Sequence, residues 1–123
     1  MSGIDKITFP ADSKTTLSAT LTSARNTAAA MADNGVAGYF GGGNTTVNIS
    51  GIDKITFPAD SKTTLTPTLT AGTSRMAAFA NSSVAGYFSG GITTVNIDTT
   101  DKITFPADTK TTISAQLTSA RRL

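Results

Sequence analysis

The chain has no cysteine, no histidine and no tryptophan. Without cysteine there is no disulfide and no thiolate, and the redox compartment cannot be read from thiol usage. Without histidine or cysteine the common nucleophile–base pairs have no members, so an enzyme is not expected. Long apolar runs are missing too. No stretch of about 18 apolar residues could span a bilayer as a helix, and the opening Met1-Ser2-Gly3-Ile4-Asp5-Lys6 lacks the apolar core of a secretory signal. Membrane insertion is not expected, and the location stays unassigned, with a virion one compatible setting. Charge is sparse: charged residues make up 15% of the chain, against about 25% in ordinary domains. The net charge is +2. The cations are dispersed, with only Arg121 and Arg122 adjacent. Nucleic-acid binding asks for a dense basic stripe, so no nucleic-acid partner is expected.

What fills the 123 residues is threonine, alanine and glycine in a repeating order. The string GIDKITFPADSKTTL at 3–17 recurs unchanged at 51–65, and TDKITFPADTKTTI follows at 100–113. VAGYFGGGNTTVNI at 36–49 is matched by VAGYFSGGITTVNI at 84–97. Asp5, Asp53 and Asp101 therefore stand in register, 48 residues apart. A fixed period of this length marks a stacked-repeat architecture.

Within one period the pattern is β. Ile7 and Phe9 alternate with Lys6 and Thr8, and Leu17, Ala19 and Leu21 alternate with Ser18, Thr20 and Thr22. This period of two is that of a half-buried strand. Pro10-Ala11-Asp12-Ser13 reads as a tight turn between two such strands. Further strands are expected over 27–32 and 36–40, joined by Asn34-Gly35, a strong two-residue hairpin signal. In the second copy Asn81-Ser82-Ser83 occupies that place, a weaker turn that suggests a longer loop. The run Ala28–Ala32 is helix-prone but too short for a stable helix, and is expected as a close-packed strand.

Four strands per period of about 48 residues, without helices, fit a β-propeller. The order Arg25, small-residue strand, Gly38-Tyr39-Phe40 with Gly42-Gly43, Ile55-Thr56-Phe57, turn, Leu65 resembles the Kelch repeat. Gly90-Gly91 repeats the doublet, and Phe9 and Phe105 repeat the third-strand aromatic. The family's fourth-strand tryptophan is replaced here by Leu17, Leu65 and Ile113. The resemblance implies Kelch-like blades, about two and a half per chain. Residues 1–25 would supply an outer strand pair, 26–73 a full blade, and 74–123 a second blade with a short tail. It also implies that the copper chemistry of some Kelch-like oxidases has no residues to work with here.

Two blades and a half cannot close a ring, and bare flanks drive association. The expected partner is the chain itself, as a homo-oligomer. Three chains, giving six full blades, are favoured over two chains that keep their half-blades, and a filament is the outcome if rotation does not close. The expected role is a non-catalytic scaffold or binding module; the alternative is a phage or cell-surface adhesin that takes a glycan.

Candidate site residues follow from that reading. Tyr39 and Tyr87 could stack on a sugar or pack between blades. Arg25, Arg75 and Arg121 lie near the start of the first strand, where they could hold an anion or fix one blade to the next. Asp5, Asp12, Asp53, Asp60, Asp101 and Asp108 are the carboxylates in register; turn formation and strand starts account for them. No catalytic residue, metal or cofactor is expected. Gly41-Gly42-Gly43 lacks the lysine and helix of a phosphate loop and reads as close strand packing. The Thr45-Thr46-Val47 segment is too short for an ice-ordering ladder.

Overall fold

The computed structural model describes residues 1–123, all in strands, turns and loops. Ten short strands run in chain order: β1 Asp5–Thr8, β2 Ser13–Thr16, β3 Ala29–Asp33, β4 Ala37–Gly41, β5 Ile52–Thr56, β6 Ser61–Thr64, β7 Ala77–Asn81, β8 Ala85–Ser89, β9 Thr100–Thr104 and β10 Thr109–Ile113. They form three antiparallel sheets. β1 and β2 make an N-terminal hairpin, β3-β4-β5-β6 a central meander, and β7-β8-β9-β10 a C-terminal meander. None of the three is closed on itself.

The registers repeat from sheet to sheet. Tyr39 stands opposite Lys54 and Met31 in the central sheet; Tyr87 stands opposite Lys102 and Phe79 in the C-terminal one. After its last strand each unit returns by the same backbone hydrogen bonds. Leu21, Leu69 and Leu117 donate to Ser2, Ser50 and Asp98; Arg25, Thr73 and Arg121 donate to Met1, Ile49 and Ile97. The repeat in the sequence is thus a repeat of backbone geometry.

The Ala-rich segment is strand, as its hairpin flanks require, and its small residues serve packing. The core lies between the two four-stranded sheets, with Met31, Tyr39, Leu65 and Leu69 facing Met76, Phe88, Ile103 and Phe105. A Cβ on Gly41 would lie 2.7 Å from the Phe88 ring, and one on Gly86 would overlap the Met31 sulfur. Glycine there lets the large side chain of the neighbouring sheet seat against the backbone. The doublets do more. Gly42 (φ 60) and Gly90 (φ 66) take the left-handed conformation, and a Cβ on Gly42 would collide with the Thr73 carbonyl.

The Pro-Ala-Asp segments are turns, with Asp12, Asp60 and Asp108 at positive φ (52, 55 and 58). The Asn34-Gly35 hairpin closes through Val36 N–H to Asp33 O at 2.9 Å, with Gly35 at φ 73. Its counterpart keeps the same length, against the expectation of a longer loop. Val84 N–H bonds Asn81 O at 3.0 Å, and Ser83 adopts φ 65 in glycine's place. The turn survives because the two hairpin tips touch: Ser83 N–H donates to Asp33 Oδ1 at 2.7 Å, and Asn34 N–H to Ser82 Oγ at 3.1 Å.

A side chain held at φ 65 costs more than glycine would. Ser83→Gly keeps the backbone donor and is expected to stabilise the chain by about 0.5–1 kcal/mol. A thermal melt checks this, and an unchanged or lower midpoint would contradict it.

Candidate functional site

The polar chemistry of this molecule gathers at the seams between consecutive units. Each seam is built around a carboxylate at the start of a third strand. Asp53 enters β5 fully buried. Thr22, on the return segment of the hairpin, reaches across to it twice, with its N–H at 2.9 Å to Oδ2 and its hydroxyl at 2.6 Å to Oδ1. Thr64 of β6 adds a hydroxyl at 2.8 Å, and Lys62 stands at 3.5 Å. Asp101 repeats the arrangement in the next seam. The Thr70 N–H and hydroxyl donate to it at 2.7 Å each, Thr112 at 2.7 Å, and Lys110 lies at 3.2 Å. The cross-seam separation in sequence is 31 residues both times.

A second contact ties the turn aspartates to the preceding unit. Lys6 pairs with Asp60 at 2.7 Å and Lys54 with Asp108 at 2.6 Å, each across 54 residues. The carboxylates shape their turns, as expected, and also receive a cation from the unit before. That second role has a periodic signature in the sequence. Lys6, Lys54 and Lys102 hold one register position and Asp12, Asp60 and Asp108 another, and a stack of units must bring neighbouring members together.

The five expected site residues divide. Tyr39 is sealed: its ring stacks on Phe105 with centroids 5.1 Å apart, and its hydroxyl donates to Asp108 at 2.7 Å. Burial and the Asp108 carboxylate together push that phenol well above its usual range. Tyr87 is only partly buried and stacks instead on Phe79 of its own sheet, 5.0 Å away. Arg25 is buried, with one terminal nitrogen on the Asp53 carboxylate and the other donating to Gly42 O at 3.0 Å. Arg121 is exposed and its side chain bonds only Ser119 in its own tail. Arg75 is no counterpart of these two. It is in register with Thr27, and both sit at positive φ, 56 and 51. The residue in register with Arg25 and Arg121 is the buried Thr73. Tyr87 and Arg121 both line an apolar cavity of about 460 Å³ on the C-terminal sheet, with Phe79, Ile113, Leu117 and Leu123. Arg75 borders it.

Chemically, Asp53 and Asp101 are occupied acceptors. Burial alone would raise their pKa values. The hydroxyl and backbone donors of Thr22 or Thr70, with Thr64 or Thr112, and the Arg25 or Lys110 cation, outweigh it and hold both below the usual carboxylate range. No three carboxylates converge as a metal site. Compared with protein-family models and with curated proteins, the chain finds no match in either.

Two outcomes follow. Asp53→Asn leaves the buried Arg25 guanidinium without a counter-charge and is expected to cost about 3–5 kcal/mol. Asp101→Asn, with Thr73 in place of an arginine, removes hydrogen bonds and the pairing with Lys110, which still reaches solvent, but strands no fully buried cation, and should cost about 1–3 kcal/mol. Chemical denaturation of both variants tests the order, and equal losses would contradict the role given to Arg25. Because both folded pKa values are depressed, their contribution is complete above the unfolded carboxylate value of about 3.9 and is lost as pH falls through the folded values. Acid unfolding should therefore begin below about pH 4, and the double variant Asp53→Asn/Asp101→Asn should flatten that dependence.

Proposed function

We propose that the chain is a non-catalytic, self-assembling β-propeller scaffold whose four-stranded sheets act as Kelch-like blades and whose partner is itself. The observation that carries this reading is the recurrence of one seam. The same residue types, at the same separations, hold the hairpin to the central sheet and the central sheet to the C-terminal sheet. Such a seam adds units head to tail, and heterologous contacts of this kind close a ring or run on as a filament.

Apolar burial gives the driving force. Ile7 and Phe9 lie exposed on the hairpin, and Phe79 on the C-terminal sheet. Covering each contributes roughly 1.5–3 kcal/mol, against an association cost of about 4–15 kcal/mol. One junction is marginal on those terms. A closed ring, in which every copy makes two junctions, comes out ahead of an open pair. The glycan-binding alternative draws less support, since Tyr39 is sealed and its hydroxyl is occupied by Asp108.

Native mass spectrometry and light scattering of the purified chain should give one discrete homo-oligomer at micromolar concentration, dissociating on dilution. A well-folded monomer under those conditions would overturn the proposal.

A further inference from the structure

Burial of the third-strand aromatic rises along the chain. Phe9 is 81% exposed, Phe57 39% and Phe105 5%. The three are in register and locally alike, so the difference lies in what precedes them. Phe105 has a complete sheet before it and stacks on Tyr39. Phe57 has only a hairpin before it, with no inner strands and so no tyrosine. No sheet packs against the side of the hairpin that carries Phe9. The carboxylates follow the same rule: Asp53 and Asp101 are buried, while Asp5 is exposed.

Asp5 is nevertheless a finished half-site. Thr16 donates to it at 2.7 Å and Lys14 stands at 3.2 Å, matching Thr112 and Lys110 around Asp101. Only the donors from a preceding unit are absent. Their counterparts stand at the other end of the chain, where Arg121 bonds only Ser119 of its own tail. Thr118 is in register with Thr22 and Thr70, Arg121 with Arg25, Lys102 with Lys6 and Lys54, and Tyr87 with Tyr39. Neither Lys102 nor Asp12 has an ion-pair partner within the chain.

We infer that the open flank of the C-terminal sheet is the docking surface for the N-terminal hairpin of a second copy, seated where a further repeat would place its outer strands. Arg121 and Thr118 take Asp5 of the second copy, as Arg25 and Thr22 take Asp53. Lys102 and the Tyr87 hydroxyl take Asp12, as Lys54 and Tyr39 take Asp108. Phe9 enters the apolar cavity and stacks on Tyr87, as Phe105 stacks on Tyr39. The carboxylates without a cross-seam cation, Asp5 and Asp12, stand at one end and the matching cations, Arg121 and Lys102, at the other, so the fit is head to tail. The hairpin also keeps its seat on the central sheet, where Lys6, Thr22 and Arg25 are already engaged. With the hairpin kept in its seat, two chains would fill the six positions of a Kelch-like ring. The three-chain ring favoured from the sequence would instead have to strip the hairpin from that seat.

The inference rests on the self-assembly proposed above, and the test separates the two. Asp5 and Arg121 are exposed, so Asp5→Arg and Arg121→Asp leave the fold intact by circular dichroism. Each alone should weaken association by about thirtyfold or more, as for a desolvated charge pair at an interface. Mixing the two variants sets the introduced arginine of one chain against the introduced aspartate of the other at one junction, and should recover most of the loss. Because the chain has no cysteine, Asp5→Cys mixed with Thr118→Cys should give covalent pairs with a short bis-maleimide, and neither should do so alone. Native mass spectrometry should show two chains. An oligomer that ignores the charge changes and yields no cross-link would overturn this docking mode while leaving self-assembly standing. A monomer would overturn both.

Discussion

A sheet of this composition cannot cover both of its own faces. Its large side chains are few, its strands are four or five residues long, and alanine and glycine occupy much of the inner pair. Everything else in the structure answers that constraint. Each sheet buries one face against the next, and the core lies between sheets and not within one. The glycines at 41 and 86 follow from it, since a thin core fills only where Phe88 and Met31 can press to the backbone of the neighbour.

Apolar packing of this sort is permissive about register, and the buried carboxylate supplies the missing specificity. Asp53 and Asp101 each take a backbone N–H and a hydroxyl from a single threonine of the unit before. A slip of one residue would turn that threonine to the other side of its segment and leave a buried charge unpaired. The cost of such a charge far exceeds the gain from the paired state. The contact therefore acts mainly against wrong stackings. The Lys54–Asp108 pair, at the sheet's outer rim and less enclosed, adds direction more than strength.

Much of this is legible in the sequence. The alternation around Ile7, the Asn34-Gly35 turn and the register of the copies mark the hairpins and their repetition, because they are local or periodic signals; the alternation of Leu17, Ala19 and Leu21 does not mark a strand, since β2 ends at Thr16 and the chain returns as a loop that bonds Ser2 and Met1. Two things are not, and a third is masked by residue type. The Ser82-Ser83 turn depends on a partner tip, Asp33, that no local rule mentions. Residue type groups Arg75 with Arg25 and Arg121, whereas register joins Thr73 to them. Asp53 and Asp101 read as strand starts, since the Thr22 and Thr70 donors lie 31 residues away. Periodicity locates equivalent residues, but it does not say which equivalents touch.

The two internal seams solve one problem by different means. Where a complete sheet precedes, Tyr39 stacks on Phe105 and donates to Asp108, and the arginine position is filled by Thr73. Where only the hairpin precedes, no tyrosine is available, and Arg25 enters the seam to neutralise Asp53 and bond the Gly42 carbonyl. The stack and the guanidinium act at different carboxylates of the junction, Asp108 and Asp53: one excludes water with apolar area, the other replaces water with donors. The C-terminal flank carries both devices at once, Tyr87 and Arg121. A hairpin seated there would meet an aromatic for its Phe9 and a cation for its Asp5, which neither internal seam supplies together. On the docking proposed above, the junction between copies would combine the two devices that the internal seams use separately.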